Sequence, residues 1–260
     1  MPFRAYWIIY LTLFRKEVIR ILRIWPQTLL PSVITISLYF LIFGKVVGAK
    51  VGMIGDFSYM QFITPGLIIM AVINNSYNNV VSSFFGARFS KAIEELLVSP
   101  ANNHLIILGY LSGGLFRGFS VGILVSIVAY LFGGFTTDGM HHYLFVILGF
   151  LFCGALFALG GLLNGIFSQK FDDTTIFSMF ILTPLTYLGG VFYQLDALPG
   201  IWQTIAKFNP LFYIVDFVRY GFIGASSVDP YWALSAIVLF TIGLYIFVWY
   251  LLSRGIRLKA

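Results

Sequence analysis

Residues 88–100, RFSKAIEELLVSP, form a short charged passage between hydrophobic runs too long for a soluble domain. The passage reads as a brief helix in water. Ser90 is placed to cap its start, and Pro100 ends it by forcing Ser99 out of helical geometry. Ile93, Leu96 and Leu97 fall at i, i+3 and i+4 on one face, with Glu94 and Glu95 on another. A helix of about two turns does not stand alone in water, so it must lie against something. A partner protein is one candidate; the membrane surface, with the leucines tucked beneath it, is the other.

Composition says what the flanking runs are. Of 260 residues, 59% are hydrophobic and 10% charged, against roughly 25% charged in soluble domains, and mean hydropathy is +0.92. An all-α integral membrane protein is expected. The net charge of +6 then follows topology and does not signal nucleic-acid binding. Cys153, the only cysteine, cannot close an intramolecular disulfide; mid-span, it is expected to pack as a small apolar group. No cleavable signal is evident, because residues 5–14 lead into charges rather than a small-residue cleavage site.

Toward the N-terminus, residues 5–14 have about half the length of a bilayer crossing. In RKEVIRILRIW, Lys16, Arg20 and Arg23 recur at helical spacing against Val18, Ile19, Ile21 and Leu22. Residues 1–25 therefore read as a helix in the cytoplasmic interface, with Trp7 and Trp25 at headgroup level. Pro26 and Pro31 turn the chain into the membrane. Six crossings are expected, at 27–47, 57–85, 104–135, 143–167, 175–195 and 231–252. Outer loops lie around Lys50 and Asp56 and at 136–142, with a short inner loop at 168–174.

Residues 196–229 invite a seventh crossing, but Pro199, Lys207, Pro210, Asp216 and Arg219 interrupt them. Parity decides. Six crossings put both termini inside, so that Arg4, Arg15, Lys16, Arg20, Arg23, Arg88, Lys91, Lys170, Arg254, Arg257 and Lys259 are cytoplasmic. Lys50, Lys207 and Arg219 then lie on the outer side of the membrane, with Lys45 and Arg117 in or near crossings. A seventh would carry Arg254, Arg257 and Lys259 outside and break the positive-inside bias. Residues 197–224 therefore read as two short re-entrant helices split at Asn209-Pro210, above a vestibule. One membrane domain, 1–260, holds all of this.

Within it, Asn74, Asn75, Ser76, Tyr77, Asn78 and Asn79 put a polar belt into the second crossing. Six adjacent residues exceed one turn, so some face other helices, a second copy or a water-lined path; the alternative is interhelical hydrogen bonding with no substrate role. Thr64-Pro65 adds a kink above the belt. Counting back from Thr136 sets Arg117 near the inner boundary as an anchor, with a buried charge as the alternative. Asp172 and Asp173 read as anionic caps before Thr174 and Thr175. Pro184, with Thr183, Thr186, Tyr187, Gly189 and Gly190, interrupts the fifth crossing where a gate would bend, just ahead of Phe192 and Tyr193. Asp216 and Arg219, at i and i+3, read as a structural pair. No G-x-x-x-x-G-K-[ST] occurs, so the chain has no phosphate loop for ATP. No H-E-x-x-H or C-x-x-C occurs either, and His104, His141 and His142 do not cluster with carboxylates.

In order, an interfacial helix, six crossings, IEELLVSP (93–100) and TPLTYLGGVFYQLDALP feeding a proline-split pair resemble one family. It is the permease subunit of ATP-binding-cassette exporters of the type-2 permease kind, a group of bacterial drug, polysaccharide and lipid exporters. The resemblance covers essentially the whole chain; its most specific pieces are 93–100 and 184–193, then NPLFYIVDFVRYGFIG at 209–224. It implies a homodimer in the bacterial inner membrane on two copies of a separate nucleotide-binding subunit. That partner would hold ATP and Mg; this chain, not itself an enzyme, would bind no cofactor. It further implies that Arg88, Lys91, Ile93, Glu94, Glu95, Leu96 and Leu97 couple to the ATPase. Substrate would pass Asn74, Asn75, Tyr77 and Asn78 and leave past Pro184, Tyr187, Phe192 and Tyr193. An aromatic content of 18% suits an amphiphilic or hydrophobic cargo. An ion-coupled transporter would need titratable residues at the midplane, where these crossings offer almost none. An ATP-independent channel or scaffold is separated from an exporter by the nucleotide dependence of flux.

Overall fold

The computed structural model describes residues 3–135 and 140–257, so most of the expected outer loop at 136–142, and Lys259, lie outside the described residues. α1 (Phe3–Arg23) stops at Ile24, and Pro26 and Pro31 enter the first turns of α2 (Trp25–Thr28) and α3 (Leu30–Tyr39). There a missing N–H costs nothing, so the two prolines redirect the chain without breaking a bond. The helix continues through widened i→i+5 turns over Phe40–Val47 into α4 (Gly48–Val51). A small hairpin, β1 (Met53–Ile54) and β2 (Phe57–Ser58), then reverses the chain, with Gly55 at φ +58°. Ser58 and Gln61 cap α5 (Tyr59–Phe89) reciprocally: Ser58 Oγ accepts from the Gln61 amide and Gln61 Oε1 from the Ser58 amide. α5 has 31 residues, about 46 Å of helix, and is helical through Pro65.

After α6 (Ala92–Val98) come α7 (Asn103–Leu131) and α8 (Tyr143–Phe167). A segmented helix follows: α9 (Phe171–Phe177), a wide turn at Ser178–Leu182, and α10 (Thr183–Tyr187). Pro184 cannot donate to the preceding turn, and the widened turn absorbs the defect; Thr183 Oγ1 donates to Ser178 O across it at 3.0 Å. This helix begins at 171 rather than 175 and ends at 187 rather than 195. Gly189 and Gly190, the latter at φ +72°, terminate it. α11 (Gly200–Lys207), α12 (Pro210–Ile223) and α13 (Pro230–Ser253) complete the chain. The break expected at Asn209-Pro210 is present, with Asn209 Oδ1 accepting from the Leu211 amide and Nδ2 donating to Leu185 O.

α5 is the axis around which α7, α8 and α12 pack. Glycines set how closely they approach. A Cβ on Gly161 of α8 would lie 2.5 Å from the Tyr77 carbonyl oxygen, and one on Gly114 of α7 would lie 2.8 Å from Val80. The main core joins Leu67, Val72 and Ile73 of α5 to Val121 of α7, Phe150 of α8 and Val218 of α12. Cys153 is fully buried in it, the packed thiol the sequence predicts. A second core at the far end of α5 gathers Val80, Phe84, Ile93, Ile107, Leu162 and Val248.

Among the described residues, four helical stretches are long and apolar enough to cross a bilayer: Trp25–Val51, Asn103–Leu131, Tyr143–Phe167 and Pro230–Ser253. On α13 the outward face is almost wholly apolar, with Leu239, Phe240, Ile242, Ile246 and Phe247 exposed. The chain is an all-α membrane protein. The other two expected crossings differ in kind, α5 being long but carrying the polar belt, and the helix over 171–187 being short and segmented.

Candidate coupling surface and translocation path

α6 leaves α5 through a single left-handed residue, Lys91, at φ +60°. Ser90 is not its cap. The Ser90 hydroxyl donates back to Gly86 O at 2.9 Å, so it closes α5 instead. Ser90 still sits on the end of α5, at φ −81° and ψ 3°, so its hydroxyl bonds back one turn, and Lys91 is the residue that precedes α6. Ser99 is extended ahead of Pro100, which ends α6 as the sequence predicts. Ile93 is 1% exposed in the second core, and Leu96 and Leu97 lean on the same core. The apolar face of α6 is thus covered by its own chain. Lys91, Glu94 and Glu95 face outward, and Val98 is 87% exposed. Arg88 turns inward: its Nη1 donates to the carbonyls of Gly165, Ile166 and Ser168 at 3.1, 2.7 and 2.8 Å.

The polar belt divides by helical face. Asn75 is buried; its Nδ2 donates to Ser32 Oγ and Ala71 O, both at 2.9 Å, while its Oδ1 accepts from Arg117 Nε at 3.1 Å. Arg117 Nη2 also donates to Thr28 O at 3.0 Å. Thr28 stands at the entry of the first membrane-length stretch, so Arg117 is both level with that entry and bonded inside the protein. Tyr77 is fully buried, accepts from Asn164 Nδ2 at 2.8 Å and stacks on Phe177. Asn79 accepts from Arg20. Asn75, Tyr77 and Asn79 are thus hydrogen-bonded to other helices. Asn74 and Asn78, one turn apart, stay on an open face; Asn74 lines a cavity of about 230 Å³ with Ser32, Thr35, Tyr39 and Met70.

Tyr39 joins that cavity to an aromatic group. Its ring lies 6.4 Å from Phe192, which also meets Phe43 at 4.9 Å and Tyr187 at 6.0 Å. The Tyr193 hydroxyl donates to Tyr187 O at 3.0 Å, and that of Tyr59 to Phe192 O at 3.3 Å. Pro184, Tyr187, Phe192 and Tyr193 are therefore gathered around one bend, against the first membrane-length stretch. Behind it, Arg219 and Asp216 are both buried and 3.8 Å apart, as the i, i+3 spacing predicts. Asp173 Oδ2 accepts from the Gln169 and Lys170 amides, the capping role its position suggests.

One functional-looking residue escapes the sequence reading. Glu17 of α1 is 2% exposed and accepts from Ser83 Oγ and from Arg20 Nη2. Arg20 continues to Asn79 Oδ1 at 2.8 Å, so α1 is bonded to the belt of α5. The signal was there: Glu17 lies three residues before Arg20 and four before the buried Ile21.

Comparison with known proteins places this geometry. The ABC-2 type transporter family matches residues 9–223. The inner membrane transport permease YadH of Escherichia coli K12 is 48% identical over 255 residues, which is 98% of each chain. Nodulation protein J of Rhizobium leguminosarum bv. trifolii is 24% identical over 187 residues, 72% of this chain and 70% of that protein. The protein of that name from Neorhizobium galegae is 21% identical over 234 residues. Such matches, with the apolar helices, make the chain an inner membrane protein and a transport subunit of the ABC exporter class, for which the family implies an ABC ATPase as partner. The chain belongs to the ABC-2 type transporter family.

Proposed function

We propose that two copies of this chain form the membrane path of an ATP-driven exporter, with two copies of a separate ATPase holding ATP and Mg below. The observation that carries this reading is the packing of α6. It buries Ile93 in its own chain and leaves Glu94, Glu95 and Val98 uncovered on a preformed edge. An acidic edge with one apolar tip, fixed by the protein rather than by lipid, suits a groove on a soluble partner. In this reading the chain crosses six times with both termini cytoplasmic, α5 and the helix over 171–187 being the two crossings with polar or broken courses. α11 and α12 are the outer re-entrant pair. An amphiphilic cargo passes the open face of Asn74 and Asn78 and leaves past Tyr187, Phe192 and Tyr193. Asn75 and Tyr77 serve as the wall behind that face, since their polar atoms are already engaged.

The test is co-expression of the chain with the ABC ATPase of its own host. Glu94→Lys with Glu95→Lys is expected to abolish co-purification while the permease still extracts folded from the membrane. Unchanged assembly and unchanged ATPase stimulation would refute the docking role.

A further inference from the structure

Arg88 stands where three elements meet. Its carbonyl accepts from the Lys91 amide at 3.1 Å, closing the left-handed turn from which α6 departs. Its Nη1 meets three carbonyls in the last turn and cap of α8. These are acceptors that a helix end leaves without intrahelical partners, so a single guanidinium satisfies what would otherwise be orphaned. Just beyond, Phe171 opens α9 and packs on Phe85 and Phe89 of α5, with ring centroids 5.0 and 4.9 Å apart. Asn164 Nδ2 donates both to Tyr77 Oη and to Thr174 O, pinning the base of α9 to α8 and α5. Above this joint the helix over 171–187 contains the wide turn at Ser178–Leu182, where Met179 and Phe180 are 65% and 70% exposed, and it is held again where Phe177 stacks on Tyr77 and Asn209 Nδ2 donates to Leu185 O. A base bonded to α5 and α8 moves with them, and displacement there passes into the continuous helix that starts from it.

We infer that Arg88 is a positioning residue that locks the root of α6 to the α8–α9 joint. Displacement of α6 is thereby delivered to the helix over 171–187 and not lost in the turn at Lys91. This presupposes that α6 docks on the ATPase as proposed above. It also separates Arg88 from its neighbours in role: Glu94 and Glu95 engage the partner, whereas the half-buried Arg88 guanidinium engages the end of α8.

The experiment uses the full complex in lipid nanodiscs, in a Cys153→Ala background, with spin labels at Met179→Cys and Ile127→Cys on α7. Distances are compared without nucleotide and with ATP, Mg and vanadate. The parent complex is expected to show a nucleotide-dependent distance shift. Arg88→Gln is expected to lose that shift while still co-purifying the ATPase, and Arg88→Lys, with three donors for the same carbonyls, to restore it. Phe171→Ala, at an exposed position, is expected to reproduce the loss and decides the matter should Arg88→Gln not fold. A parent without a shift, or a shift of parental size in Arg88→Gln or Phe171→Ala, overturns the inference. So does loss of the ATPase from folded Arg88→Gln, which would make Arg88 a docking contact. Assembly that survives Glu94→Lys with Glu95→Lys would instead sink the docking reading itself, whatever Arg88 does.

Discussion

Arg117 Nε donates to Asn75 Oδ1 at 3.1 Å while its Nη2 reaches Thr28 O, so one cation ties α7 to α5 and to the root of the first membrane-length stretch. Asn75→Leu takes an acceptor from a partly buried guanidinium and is expected to cost about 1–3 kcal/mol. Arg117→Met leaves Asn75 Oδ1 without its donor while Nδ2 keeps Ser32 and Ala71, and should likewise cost about 1–3 kcal/mol. The double variant should fall short of the sum. Thermal unfolding in detergent gives the three values, and additivity within about 0.5 kcal/mol would mean the two side chains are not coupled.

Two glycines are expected to behave oppositely. A methyl at Gly161 meets the Tyr77 carbonyl at 2.5 Å, so Gly161→Ala must push α8 off α5; a loss of about 1–3 kcal/mol is expected. Gly243 of α13 has nothing within 4 Å of its added Cβ and lines an open apolar cleft of about 890 Å³. Gly243→Ala should gain up to about 1 kcal/mol from helix propensity alone. Melting curves of the two variants, measured side by side, would expose a wrong helix seam at once.

Removal of Arg219 tests how a buried ion pair is supported. Arg219 also donates to Phe62 O and Gly190 O and stands over the Phe62 ring. Asp216 accepts from Ser226 Oγ and from the Ser227 and Val228 amides. Since Asp216 retains those donors, Arg219→Met is expected to cost about 1–3 kcal/mol, less than the roughly 3–5 kcal/mol of a pair with no other partners. Asp216→Ala should instead loosen residues 226–228, seen as faster proteolysis there with the rest of the chain resistant.

Lys91 allows backbone and charge to be separated. A non-glycine residue in the left-handed region costs about 1–2 kcal/mol, and a branched one costs more. Lys91→Gly is expected to hold or raise thermal stability and to keep ATPase capture, whereas Lys91→Ile should lower both. Loss of capture by a folded Lys91→Gly would assign Lys91 a charge contact.

Local chemistry was legible in the sequence. Pro26, Pro31, Pro100 and Asn209-Pro210 mark real helix boundaries, where proline fits a first turn or forces the residue before it to extend, while α5 runs on through Pro65. The spacing of Asp216 and Arg219 yields a pair, and Ile93 with its neighbours yields the buried side of α6. What depends on a distant surface was not legible. Asn74, Asn75, Tyr77 and Asn78 look alike in a run, yet only the positions of Ser32, Arg117 and Asn164 decide which of them are consumed. Arg88 looks like one more surface cation until the end of α8 is brought beside it. The end of the segmented helix at Tyr187 required knowing that Gly190 adopts a positive φ, where the hydropathy of the run suggested eight more residues.

Glu17 carries a practical consequence. With its carboxylate seated under Ser83 and its neighbour Ile21 sealed from solvent, α1 is masonry rather than trim. Fusing a purification handle ahead of the first helix leaves that masonry untouched, whereas pruning to Trp25 would strip Ser83 of its acceptor and Asn79 of its donor, and would bare a trough along α7.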